Sequence, residues 1–108
     1  MRLKKSDKIF VAGHRGMVGS AFMRRLEAEG FTNLLKPDRS QLDLMDEAAV
    51  LSFFLEEKPD IVILAAAKVG GIKANNDYPV EFLLENLRIQ NNVIRSADQS
   101  GVRKLLFL

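Results

Sequence analysis

Three glycines, Gly13, Gly16 and Gly19, recur at intervals of three residues between a short apolar run and an amphipathic one. Glycine in that pattern meets three physical demands: a tight turn at a strand end, a backbone that must approach a ligand without a side chain in the way, and a helix packed closely on a strand. The ligand such a turn admits is a pyrophosphate, held by backbone N–H groups at the start of the helix. The chemistry would then be dinucleotide binding, and the identity of the dinucleotide depends on the charges beside its ribose. A carboxylate there accepts from the hydroxyls of NAD, whereas arginine meets the 2′-phosphate of NADP. Asp38 lies about 20 residues beyond the glycines, which fits NAD by count, but it follows Pro37 and is flanked by Arg39. With Arg15 inside the glycine turn, two guanidinium groups can converge on one phosphate, and this favours NADP. The competing reading makes Arg15 and Arg39 solvated loop residues, one of them paired with Asp38.

Other residues carry weaker signals. Asp43 precedes the second helix, where a carboxylate can accept from the exocyclic amine of adenine while Leu44 packs on the ring; it can equally be a helix-entry aspartate. Ala65, Ala66 and Ala67 are small enough to let the backbone lie against a cofactor, or simply to pack a strand into its loop. His14 reads as a loop histidine rather than a catalytic base, and Asn86 as a polar group with a local hydrogen bond. There is no GK[ST] ending to the glycine turn, which disfavours an ATP-hydrolysing phosphate loop. With no cysteine and one histidine, disulfides, a thiolate nucleophile and a Cys or His metal site are excluded within these 108 residues.

The elements that must position these residues follow from periodicity. Lys8 to Ala12 and Ile61 to Ala65 read as strands buried on both faces, Asn33 to Lys36 as a weak strand, and Lys104 to Leu108 as a fourth. A first helix carries Val18, Ala21, Phe22 and Leu26 inward and ends at Gly30. A second is capped by Asp46, buries Val50, Phe53 and Phe54, and ends at Lys58 and Pro59. Residues 65 to 77 read as a loop, followed by a long helix over 78–100 with Pro79 in its first turn and Gly101 at its end. Phe82, Ile89, Val93 and Ala97 share one face of it, while Leu83, Leu87 and Ile94 form a second, so it should pack on the sheet and on something else. This alternation predicts a doubly wound parallel α/β sheet in the order 3-2-1-4, with its ligand at the C-terminal ends of strands 1 and 4.

Length allows one small domain or part of one, and 47% hydrophobic with 28% charged residues is a globular composition. A net charge of +2 names no partner. The basic cluster Arg2, Lys4, Lys5 and Lys8 contains Asp7 and no aromatic residue, so a solvated terminus is expected rather than a nucleic-acid patch. No apolar stretch approaches the ~20 residues of a membrane span, and no secretory signal is evident, so a cytoplasmic chain is expected.

The glycine spacing suits the short-chain dehydrogenase/reductase type of Rossmann domain. More specifically, GHRGMVGS at 13 to 20, LAAAKVGGIKANN at 64 to 76, YPVEF at 78 to 82 and the closing KLLFL resemble the GDP-L-fucose synthase family from about Lys8 to Leu108. The resemblance implies an extended short-chain dehydrogenase/reductase that uses NADPH to epimerise two carbons of a GDP-4-keto-6-deoxy-mannose and then reduce its ketone. It implies cofactor contacts at Gly13, His14, Arg15, Gly16, Met17, Val18 and Gly19; at Arg39, Ser40, Gln41, Leu42, Asp43 and Leu44; and at Ala65, Ala66, Ala67 and Leu108. It also implies a homodimer through the long helix 78–100. The acid of such a reduction is the tyrosine of a YxxxK motif, yet the single tyrosine, Tyr78, has Phe82 at +4, and the family's cysteine has no counterpart. The expectation is therefore that residues 1–108 form the N-terminal, incomplete part of an NADP-binding Rossmann domain, lacking the later strands, the substrate domain and the catalytic residues. A non-catalytic NADP(H)-binding or self-associating half-fold is the alternative.

Overall fold

Short runs of β-branched and aromatic residues too brief for helix become strands, and the amphipathic stretches between them become the helices that cross from one strand to the next. The structure, a computed structural model, describes residues 3–65 and 79–108. In chain order the elements are β1 (Ile9–Ala12), α1 (Met17–Ala28), β2 (Leu34–Leu35), α2 (Glu47–Glu57), β3 (Ile61–Leu64), α3 (Pro79–Ser100) and β4 (Lys104–Phe107). All strand pairs are parallel, and the sheet order is β2-β1-β3-β4.

The doubly wound parallel class is as expected, but the order 3-2-1-4 is not. The third strand crosses back over β1 instead of extending the sheet beyond β2. Burial explains the correction. All four residues of β3 are buried, which demands neighbours on both edges, whereas β2 has only two half-buried residues and pairs only Leu34 and Leu35 with Ile9 and Phe10. Beyond β2, the most apolar strand would have had a two-residue partner on one side and water on the other. Beside β1 it pairs along its full length, Ile9 with Ile61 through Ala12 with Leu64.

Alternation along the strands sends side chains to two cores. Phe10, Ala12, Val62 and Leu64 meet Val50 and Phe54 of α2 and Ile89, Val93 and Ala97 of α3. Ile9, Val11, Ile61 and Ile63 meet Met23 and Leu26 of α1 with Phe31. The chain reverses direction across the sheet at the same point that it changes face, so every crossover has the same hand, as the right-handed rule for parallel units requires.

In α1 the inward face is Gly19, Met23 and Leu26, with Phe22 half-buried, whereas Val18 and Ala21 are exposed. This rotation from the expected stripe follows from the close approach of Gly19 to the preceding turn, described below. Asp46 caps α2 by accepting from the Ala49 N–H at 3.1 Å, and Lys58 closes it in a left-handed conformation at φ 47°. Phe10 sits edge-on to Phe54 with ring centroids 5.6 Å apart, which anchors α2 on the sheet.

Candidate functional site

The winding reverses between β1 and β3, and in open α/β sheets ligands bind beyond the C-terminal strand ends at such a point. Register places those ends in one row: Ala12, Leu64 and Phe107 are cross-strand partners. The Ala65 N–H donates to the Ala12 carbonyl at 2.9 Å, and the Leu108 N–H to that of Leu64 at 3.1 Å, so Gly13, Ala65 and Leu108 leave the sheet along the same rim. A pocket of about 560 Å³ opens there, within the range of small-ligand sites.

The glycine turn forms its floor. Gly13 has φ +87°, where a β-carbon is disfavoured by roughly 1–2 kcal/mol. A β-carbon on Gly19 would lie 1.9 Å from the Gly13 carbonyl oxygen, so only glycine lets α1 begin directly against the turn. Gly16 is different: a β-carbon there would sit 3.5 Å from the same oxygen, an ordinary contact, and Gly16 is the residue preceding the first helical turn. The first N–H to find an acceptor in α1 is that of Ser20, which donates to Gly16 at 2.8 Å, leaving those of Met17, Val18 and Gly19 beyond the helical ladder. Among the described residues no side chain caps this end, and its first turn holds no acidic residue. These donors and the positive end of the helix dipole fit the phosphate of a dinucleotide, with no described side chain competing for them.

The basic rim comes from the turn and from the segment after β2. His14, Arg15, Pro37, Asp38 and Arg39 line the opening. Burial, then the positive fields of Arg15 and Lys36, hold the His14 pKa below its ordinary value, with Asp38 opposing. His14 is therefore neutral at neutral pH. Among the described residues neither Arg15 nor Arg39 has an ion-pair partner within bridging distance. The Asp38 carboxylate accepts from the Ser40 hydroxyl at 2.6 Å and the Gln41 N–H at 3.0 Å, and these bonds keep its pKa below the usual carboxylate range.

The inner wall is apolar. Leu42, Leu44, Met45 and Ile89 line it together with Phe10 and Ala12, and Asp43 stands among them, accepting from the Met45 N–H at 3.0 Å. The buried Asn92 of α3 donates to the Leu44 carbonyl at 2.9 Å, tying the long helix to this wall.

Of the expected residues, Gly13, His14, Arg15, Gly16, Arg39, Leu42, Asp43, Leu44 and Ala65 line one pocket. Met17 and Val18 are exposed at the α1 terminus, and Gly19 lies beneath the turn. Ser40 and Gln41 turn toward Asp38 rather than line the pocket, and Leu108 is half-exposed on the adjacent rim. Ala66 and Ala67 lie outside the described residues, as do Tyr78 and most of the expected loop. Met45 and Ile89 were not anticipated: helical spacing marks Ile89 as inward-facing but does not say that its end of the helix overhangs a cavity. Among the described residues no group of three or more His, Cys, Asp or Glu could hold a metal ion. No helix among them is long and apolar enough to cross a membrane.

An opening at the switch point of a doubly wound parallel sheet places this chain among α/β proteins of the Rossmann type. Residues 9–108 match the NAD dependent epimerase/dehydratase family, and the chain belongs to it. It is 64% identical over 104 residues to GDP-L-fucose synthase 1 from Arabidopsis thaliana, covering 96% of this chain and 32% of that protein. Among solved structures it resembles MlghC, a GDP-mannoheptose C4 reductase from Campylobacter jejuni with NADP bound, at TM-score 0.92 and 42% identity, over 98% of this chain and 33% of that one. It also resembles a GDP-L-fucose synthetase from Naegleria fowleri bound to NADP, at TM-score 0.84 and 30% identity, over 99% and 32% of the two chains. The chain thus spans about a third of the length of the curated relatives it matches.

Proposed function

We propose that this chain is the N-terminal, cofactor-binding part of a GDP-L-fucose synthase, which converts GDP-4-dehydro-6-deoxy-D-mannose to GDP-L-fucose by 3,5-epimerisation and NADPH-dependent 4-reduction. The observation that carries this reading is the pocket at the β1/β3 switch point, where the free α1 donors meet a rim bearing Arg15 and Arg39. In this reading the N–H groups of Met17, Val18 and Gly19, at the end of the glycine turn, hold the pyrophosphate, and Arg15 and Arg39 hold the 2′-phosphate. Asp43 accepts from the adenine amine while Leu42, Leu44, Met45 and Ile89 exclude water from the ring. Ala65 and Leu108, on the rim beyond β3 and β4, flank the reduced half of the cofactor, which when bound supplies hydride to the substrate ketone.

These residues bind and orient, and none is assigned a proton-transfer role. The chain has no cysteine, and its one tyrosine lacks a lysine four residues on, so the epimerisation and reduction groups are assigned to other parts of the enzyme. The enzyme is proposed to be cytoplasmic and to dimerise through the outer face of α3, where Leu83 and Leu84 are 57% and 60% exposed. With the GDP-4-keto sugar and NADPH, an enzyme carrying this segment is expected to form GDP-L-fucose, and the 108 residues alone to form none. Consumption of NADPH with a different sugar product contradicts the assignment.

A further inference from the structure

Asp38 occupies the position where a dinucleotide-binding fold commonly places a carboxylate on the ribose hydroxyls. Its hydrogen bonds assign it other work. Asp38 Oδ1 takes the Ser40 hydroxyl at 2.6 Å and the Gln41 N–H at 3.0 Å, while Gln41 Oε1 takes the Asp38 N–H at 3.0 Å. The Asp38 carbonyl closes the same turn, accepting from the N–H groups of Gln41 at 3.0 Å and Leu42 at 2.9 Å. This is the reciprocal arrangement of a capping box, built on a single turn with no helix after it. Arg39 and Ser40 are the two residues enclosed by the box, and Arg39 is exposed at the pocket rim. Around it the charge is basic: Arg15 and Lys36 both act on the neighbouring His14, against the single opposing carboxylate of Asp38.

Resting on the dinucleotide-site reading above, we propose that Asp38 is a positioning residue for cofactor selectivity, its carboxylate locking the turn that presents Arg39 to a 2′-phosphate rather than binding ribose. An exposed arginine on an unrestrained loop loses much of its phosphate affinity to side-chain and backbone entropy, and fixing the backbone on either side of it removes part of that cost.

The test is the affinity of the chain for NADPH and NADH in three forms: wild type, Asp38→Ala and Asp38→Asn. Asparagine keeps an acceptor for Ser40 and Gln41 but has no charge, and alanine has neither. The expected result is a loss of about tenfold in NADPH affinity for Asp38→Ala with NADH nearly unchanged, and recovery of the NADPH preference in Asp38→Asn. If Asp38 bound the ribose directly, both variants would weaken NADH at least as much as NADPH, and the proposal would be overturned. A wild-type chain that prefers NADPH, with Asp38→Ala retaining that preference, also overturns it while leaving the site reading intact. A wild-type chain with no preference removes both. Should Asp38→Ala melt too early to titrate, Ser40→Ala removes one bond from the exposed turn and is expected to lose part of the same preference; an unchanged ratio there contradicts the proposal.

Discussion

Gly19 and Gly16 show how residues of one type in one motif do different physical work. At Gly19 the constraint is internal to the fold, because a methyl group would be driven into the Gly13 carbonyl. At Gly16 the fold leaves room, so its side-chain-free surface matters only to what approaches from the pocket. Gly19→Ala is expected to destabilise the chain by about 1–3 kcal/mol or more, since backbone rather than a flexible side chain must yield. Gly16→Ala should leave the melting temperature nearly unchanged while weakening NADPH binding. Thermal melts beside cofactor titrations separate the two, and equal destabilisation by both would contradict the assignment. The spacing of the glycines was legible in the sequence, but which glycine serves packing and which serves the ligand was not, because that depends on where α1 begins relative to the turn.

Among the elements, α3 connects the site to the rest of the molecule. Asn92 reaches from it to the Leu44 carbonyl, a contact between residues 48 positions apart. Asn92→Ala leaves the part-buried Leu44 carbonyl without its donor and should cost about 1 kcal/mol. It should also loosen the adenine-side wall, so that affinity for NADPH and NADH falls by a similar factor, unlike the selective loss expected at Asp38. Calorimetric melts and both titrations check this, and an unchanged stability would show that the contact is dispensable. The two faces of α3 were visible in its spacing, because a 3.6-residue period separates Ile89, Val93 and Ala97 from Leu83, Leu87 and Ile94. The role of Asn92 was not, because a polar residue on an inward face looks the same whether its partner is local or distant. Of the expected inward stripe of α1, Phe22 and Leu26 face the core while Val18 and Ala21 do not, because apolarity alone ignores how closely Gly19 lets two backbones approach.

Across the whole molecule, the α/β class followed from the alternation of elements, whereas strand order did not, and the switch point expected at strands 1 and 4 falls instead between β1 and β3. Order depends on which strand most needs two neighbours, and the decisive contrast was the full burial of Ile61–Leu64 against the two-residue β2. The opposite end of the sheet is held by polar contacts. Asp7 accepts from the Lys4 N–H and from the Arg103 guanidinium, each at 2.8 Å, tying the segment before β1 to the segment before β4. The Lys4 hydrogen bond first, and Arg103 against the cost of burial, hold the Asp7 carboxyl below the ordinary carboxylate range. Its stabilising contribution is therefore full above the ordinary carboxylate pKa and is lost as pH falls through the lowered one. Asp7→Asn is expected to lower the melting temperature at neutral pH and to reduce the further fall on acidification. A mutant with the same acid dependence as wild type would place the acid sensitivity elsewhere.

In the proposed function, the pocket between β1 and β3 recognises NADP through its basic rim. Fluorescence titration of the chain with NADPH and NADH tests it most directly, paired with Arg39→Ala. Tighter binding of NADPH, with the preference reduced about tenfold or more in Arg39→Ala through loss of a charge-assisted contact, is the predicted result. Equal or tighter binding of NADH by the wild-type chain would contradict it.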